Sequence, residues 1–337
     1  MDKGLIAQPQ ALTGLVDPQG RRFAYLRLSI TDACNYRCSY CLPDGYQATA
    51  PRDYLSGDEI AHLVAGLAEL GIWKIRLTGG EPTVRRDFLD IAARVRAQPG
   101  IRRLAVTTNG HALAGRTAAW RAAGIDALNI SVDSLNRENF RAITGKDHLP
   151  RVLSGIDEAL AAGFASVKLN CVLLRGKNDH EIDAFLDYVR QRPLTVRFIE
   201  LMETGDNNAF FARHQLSGSV VETHLRQLGW SAVARREGDG PAREFAHPDY
   251  LGRIGLITPY ARDFCANCNR LRVTARGLLR LCLFGEGGHS LRPLLQSAEQ
   301  QPELLGSIRQ LLAGKAASHQ LHFHNSGDLG NLSALGG

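Results

Sequence analysis

Residues 23–41 read FAYLRLSITDACNYRCSYC, an apolar and aromatic run that ends near Thr31 and passes directly into a loop carrying Cys34, Cys38 and Cys41. The run predicts a β-strand, and the loop puts three thiols at that strand's carboxyl end. Working outward, five more runs of the same kind follow: IWKIRL (72–77), RRLAVTT (102–108), ALNISVD (127–133), SVKLNCVLL (166–174) and TVRFIEL (195–201). Segments of helical period separate them, among them the amphipathic stretches 58–70 and 178–190. Ser56 and Asp58 are positioned to cap the first of these, and Gly71, Gly124 and Gly163 to end helices. Strand and helix in alternation predict an α/β fold on a parallel sheet. Six such units make a partial, three-quarter TIM-like (β/α)6 barrel, with functional residues at the carboxyl ends of its strands.

After Gly205 the alternation breaks. A helix over 220–228 leads to a Gly/Arg-rich segment and then to a hairpin, LRVTARGLLRLCL (271–283), turning near Arg276 and Gly277. The expected organisation is an N-terminal extension (1–22), a barrel domain (23–235), a smaller C-terminal α+β domain (236–325) and a Gly-rich tail (326–337).

The chain has 337 residues, 44% of them hydrophobic, enough to bury one large core. It contains no apolar run of spanning length, and its first residues lack the basic and apolar pattern of a secretory signal. The cytoplasm is the expected compartment, with no membrane partner. A net charge of +6, spread along the chain, favours a small anionic ligand over a nucleic-acid groove.

Seven cysteines at short spacings point in a reducing compartment to metal or chemistry rather than to disulfides. Cys34, Cys38 and Cys41 have no nearby His or fourth Cys, so one coordination position stays open. That suits a 4Fe-4S cluster with one iron free to take a ligand; a structural zinc site would be closed. The second strand ends in Leu77-Thr78-Gly79-Gly80-Glu81-Pro82, a turn whose glycines allow close backbone approach. Cys265, Cys268 and Cys282 form a second triad, where zinc competes more strongly because His289 is available to close a Cys-x2-Cys knuckle. Arg270 and Arg272 alternate onto one strand face beside that triad and present forked donors that match phosphate oxygens. Cys171, on the fifth strand, reads as a small buried core residue.

The first loop, Cys-x3-Cys-x-aromatic-Cys with Tyr40 as the aromatic, resembles the radical S-adenosylmethionine (SAM) superfamily. Together with LTGGEPTVRRD, TTNG, SVDSL, FIELM, CANCNRLR, LCLF and a terminal Gly-Gly, the chain resembles the GTP 3′,8-cyclases (MoaA family) from about residue 20 to its end. The resemblance implies two 4Fe-4S clusters, the first on Cys34, Cys38 and Cys41, the second on Cys265, Cys268 and Cys282 and binding guanine through its open iron. It implies SAM contacts at Tyr40, Gly80, Ser131 and Met202. GTP contacts fall on Arg27, Arg76, Thr107, Lys168 and the strand Arg270-Leu271-Arg272, and Gly336 and Gly337 reach into the active site. In the implied reaction a 5′-deoxyadenosyl radical takes hydrogen from the ribose 3′ carbon, and the ribose radical attacks carbon 8 of the guanine. An external electron donor and a downstream cyclic pyranopterin monophosphate synthase are the implied partners, and the resemblance leaves room for a homodimer.

The chain departs from that family's usual pattern at Ala33, where Arg is common, at Leu42 in place of Met, and at Glu203 in place of Pro. Two competing readings are a radical SAM enzyme acting on a peptide, whose auxiliary domain would carry more cysteines, and a zinc-holding nucleic-acid module, which would show closed sites and a concentrated basic patch.

Overall fold

The computed structural model describes residues 14–48, 51–235 and 238–335. The first part of the expected N-terminal extension, and Gly336 and Gly337, lie outside them. The six predicted strands are present as β1 (Tyr25–Ser29), β2 (Lys74–Thr78), β3 (Arg103–Thr108), β4 (Ala127–Ser131), β5 (Ser166–Leu173) and β6 (Thr195–Glu200). They lie side by side in chain order, every neighbouring pair parallel. Later strands join the same sheet at both edges. Among β7 (Arg243–Ala246), β8 (Arg253–Ile257), β9 (Arg270–Val273) and β10 (Leu278–Arg280), β8 runs parallel to β6 and β9 runs parallel to β1. On the outside, β7 pairs antiparallel with β8 and β10 antiparallel with β9. Two-residue strands, Ser231–Ala232 and His289–Ser290, end the sheet, which among the described residues has 12 strands and does not close.

The helices α1 (Gly57–Glu69), α2 (Phe88–Ala97), α3 (Thr117–Ala122), α4 (Arg137–Thr144), α5 (Leu149–Ala161) and α6 (Ile182–Arg190) connect the first six strands. Then come α7 (Asn208–His214), α8 (Ser219–Gln227) and α9 (Gln301–Ala313). Helix α1 shows how the sequence drives the layer. Ser56 accepts from the Glu59 N–H at 3.1 Å while the Ser56 N–H donates to the Glu59 carboxylate at 2.7 Å, a reciprocal cap. Ile60, Leu63, Val64 and Leu67, at helical spacing, are fully buried in one core. Each contributes about 2 kcal/mol by leaving water. On the strands that they cover, Leu26, Leu28, Ile75, Leu77, Leu104, Val106, Leu128 and Ile130 point outward to the helices and are equally buried.

The alternate strand positions point inward and are largely polar: Tyr25, Arg27, Arg76, Thr107, Ser131, Asn170 and Arg197 line one cavity. Curvature brings distant strands together there, since Arg197 of β6 donates to Asn129 of β4 at 3.1 Å across the intervening β5. The predicted hairpin turn is present, with Gly277 at φ +83° and its N–H on the Thr274 carbonyl at 3.0 Å.

Glu59 also binds Arg292 at 2.7 Å, tying α1 to the C-terminal region. Burial would raise its carboxyl, but Arg292, the Ser56 N–H and Gln296 hold it down at about 2. A carboxyl depressed on folding stabilises above its unfolded value and loses that contribution as pH falls through its folded value. Glu59→Gln is therefore expected to lower the melting temperature at pH 7, with the gap to the parent narrowing between about pH 4.5 and 2 in a pH series of thermal melts.

Candidate active site

The loop after β1 and the turn after β2 are built against each other. The Gly80 N–H donates to the Thr31 carbonyl at 3.0 Å and the Glu81 N–H to the Ala33 carbonyl at 2.8 Å. A Cβ on Gly79 would sit 2.0 Å from the Thr31 oxygen, and one on Gly80 2.2 Å from the Ala33 oxygen. The glycines thus admit the backbone of the cysteine loop itself. Glu81 is buried and holds the end of β3, accepting from Thr108 Oγ1 at 2.8 Å and from the Asn109 N–H at 2.6 Å. Asn109 in turn donates to Asn35, inside the cysteine loop, at 2.7 Å.

Both cysteine triads line the same cavity, together with Arg27, Tyr40, Arg76, Gly80, Thr107, Ser131, Met202, Arg270 and Arg272. Two sequence-expected contacts lie otherwise. Leu271 is fully buried in the outer core, because alternation along β9 turns Arg270 and Arg272 inward and its own side chain toward the helices; only its main chain faces β1. Lys168 does not line the cavity, and its ammonium is held by Glu244 at 2.6 Å. Burial, with Arg197 adding to it, brings that ammonium down to about 8.

Sequence reasoning missed Arg197 and Asp133. Arg197 is 6% exposed, lines the cavity, and burial lowers it to about 10. Inward alternation along TVRFIEL was the signal that it belonged with Arg76. Asp133 accepts from Tyr40 Oη at 2.9 Å and from the Val172 N–H at 2.9 Å, fixing the aromatic residue of the cysteine loop. Cys171 is 1% exposed, a core residue as read.

Burial raises the thiols of the first triad: Cys34 to about 11, Cys41 to about 12 and Cys38 well above its ordinary value. Such thiols become thiolates only against a cation. At Cys268 of the second triad burial also acts most strongly and upward, but Arg270 and Lys315 outweigh it and bring that thiol down to about 7. All the cysteines are free. His289 is exposed on the edge strand and does not line the cavity. His319 does line it, but its nitrogens are engaged, Nε2 with the Pro259 carbonyl at 3.0 Å and Nδ1 with the Leu321 N–H at 3.3 Å. Neither histidine supplies a fourth ligand. Among the described residues no three His, Cys, Asp or Glu side chains gather as around one metal ion. Three thiols in each triad, with neither of these histidines among them, leave a position open, and a 4Fe-4S cluster takes each thiolate on a different iron. The donor set fits clusters with an open iron.

A parallel, curled α/β sheet with three thiols on the loop after its first strand and a Gly-Gly-Glu-Pro turn after its second is the architecture of a radical SAM enzyme. The radical SAM superfamily pattern matches residues 28–189 and the Molybdenum Cofactor Synthesis C pattern residues 194–321. Among solved structures, Streptococcus suis SuiB bound to S-adenosylmethionine is similar with a TM-score of 0.58 at 12% identity, covering 85% of this chain and 68% of that one. The FeFe-hydrogenase maturase HydG from Carboxydothermus hydrogenoformans follows with a TM-score of 0.52 at 17% identity, covering 79% and 62%. These likenesses show the fold alone. The GTP 3′,8-cyclase of Stenotrophomonas maltophilia (strain K279a) is 56% identical over 97% of this chain and 100% of its own length. That of Yersinia pestis is 54% identical over 96% and 99%. The chain belongs to the GTP 3′,8-cyclase family, lyases of molybdenum cofactor biosynthesis.

Gly80→Ala forces a Cβ onto the Ala33 carbonyl and so displaces the cysteine loop. It is expected to cut the iron bound by the first triad at least several-fold after anaerobic reconstitution, with the loss read by iron analysis and the visible absorption of the cluster.

Proposed function

We propose that both triads carry 4Fe-4S clusters and that GTP binds in the cavity between SAM on the first and the second triad. The observation that carries this reading is the burial of Arg76, Arg270 and Arg272 in the cavity that both triads line, with no carboxylate at ion-pair distance among the described residues. Enclosing such charges alone costs several kcal/mol each, and a triphosphate offsets that cost. The Nε atoms of Arg76 and Arg272, Thr107 Oγ1 and Asn170 Oδ1 are buried without a partner among the described residues, as donors and acceptors awaiting a ligand would be.

When bound, the first cluster supplies the electron that cleaves SAM to a 5′-deoxyadenosyl radical. The protein's own part is positioning and exclusion. Gly80, Tyr40, Ser131 and Met202 surround SAM, with Tyr40 held by Asp133. Arg27, Arg76, Arg270 and Arg272 grip the phosphates, which turns the ribose 3′ hydrogen toward SAM and the base toward Cys265, Cys268 and Cys282. Leu332 and Ser333 line the cavity beside the first triad, where their main chain works against the effect of burial on the Cys41 thiol, and they help to keep water from a radical. Gly336 and Gly337, which follow directly, are proposed to complete the site. No helix among the described residues is long and apolar enough to cross a membrane. A cytoplasmic site, an external one-electron donor and a synthase that consumes the cyclic product complete this reading.

Anaerobically reconstituted protein given reductant, SAM and GTP is expected to yield 5′-deoxyadenosine and 3′,8-cyclo-GTP together; 5′-deoxyadenosine with GTP unconsumed would refute the substrate assignment. Arg272→Ala is expected to weaken GTP binding roughly 10- to 100-fold, matching the ~1.5–3 kcal/mol of a charged hydrogen bond. Equilibrium dialysis on reconstituted protein checks it, with iron content as the control.

A further inference from the structure

Lys315 follows α9 and is 5% exposed. Its Nζ donates to the carbonyl of Leu281, the residue before Cys282, and lies over the Phe23 ring at 5.5 Å. No carboxylate lies at ion-pair distance from it among the described residues. Arg21 and Arg272 are near enough to repel it, and the groups that favour its charge are Cys268 and Cys282 of the second triad.

The position is over-determined. Arg21 is buried against Asp17 at 2.6 Å. Its Nη atoms donate to the carbonyls of Ala316 and Ala317 at 2.7 Å each and to Cys265 at 3.1 Å. One clamp therefore holds the backbone beside Lys315 and the backbone of a second-triad cysteine. An isolated buried ammonium costs several kcal/mol unless a negative group compensates it. Three thiolates holding a 4Fe-4S core carry net negative charge, and one more negative charge arrives on reduction.

We propose that Lys315 is the counter-ion of the second cluster, a positioning and electrostatic residue that raises that cluster's reduction potential. This rests on the proposed cluster at Cys265, Cys268 and Cys282. A fixed positive charge stabilises the reduced, more negative state over the oxidised one, so its removal makes the potential more negative. Lysine also donates to Leu281, and a neutral donor at this position separates that hydrogen bond from the charge.

The test uses the full chain with Cys34→Ala, Cys38→Ala and Cys41→Ala, in which only the second triad remains to bind iron. Reduction is followed by electron paramagnetic resonance against potential for Lys315 and for Lys315→Gln, Lys315→Met and Lys315→Arg, with iron and zinc measured in each. The reduction equilibrium is expected to shift about tenfold toward the oxidised state in Lys315→Gln and Lys315→Met, which for one electron is 59 mV, and to return most of the way in Lys315→Arg. An unchanged potential in Lys315→Gln with iron retained overturns the role of Lys315 and leaves the cluster standing. Zinc in place of iron in the Lys315 parent overturns the cluster itself and the proposal with it. If Lys315→Met fails to fold, Lys315→Gln and Lys315→Arg, which keep the donor, still decide the question.

Discussion

Positive charge enclosed by a curled parallel sheet is the constraint on which the rest of this structure depends. Arg272, Arg27 and Arg76 occupy one register row on β9, β1 and β2, strands that lie less than about 5 Å apart. Burial first lowers all of them; the charge of neighbouring Arg270 lowers each further, and Arg76 and Arg272 also lower Arg27. A sheet interior filled with Leu and Val would be more stable. Here the outward strand faces and the helices supply the hydrophobic burial, which leaves the inward face available for charge. Stability and function are thus assigned to opposite faces of the same strands, and period-2 alternation is what permits the division.

The same sheet solves a second problem, which is to bring together thiols more than two hundred residues apart in the chain. Strand β9 adds to the edge at β1, so the loop after the first strand and the hairpin of the last region become neighbours. Asp32 fixes their relation. It binds Arg276 from the hairpin at 2.8 Å, accepts from Tyr46 at 2.8 Å and also from Tyr54, and these partners outweigh burial and hold its carboxyl below the usual range. The ion pair is partly buried, and its service is registration more than stability.

The parts of this arrangement that depend on local pattern were legible in the sequence. The six strands of the barrel, the cap at Ser56, the turn at Gly277 and both triads announce themselves through period, turn chemistry and spacing. Pairings between distant segments do not. Nothing in RIGLI (253–257) says that it will extend the far edge beside β6, and that addition carries Glu244 into reach of Lys168 and Arg197. The engagement of Lys168 by Glu244 therefore could not be read from either segment alone. Leu271 shows the opposite case: alternation along β9 already assigned its side chain to the outer face, where it is buried.

The departure at Glu203 shows how a chain compensates for losing a rigid residue. A proline at that position would fix φ but donate nothing. Glu203 uses the N–H that proline lacks, donating to Tyr260 Oη at 3.0 Å, and its carboxylate meets His324 at 2.8 Å. Next to it the Gly205 and Asp206 N–H groups bind the Leu329 and Gly330 carbonyls at 2.9 and 3.0 Å, and Leu329 and Leu335 pack with Leu283 and Phe284. A single side-chain contact such as Glu203–His324, with the histidine exposed, contributes little by itself. Set among main-chain hydrogen bonds and an apolar contact, it adds a further tie between the end of β6, where Met202 lines the cavity, and the segment whose Leu332 and Ser333 line it too. The loop after β6 is held by residues 329–335 instead of by its own stiffness, so the order of this side of the cavity and the seating of that segment become one property.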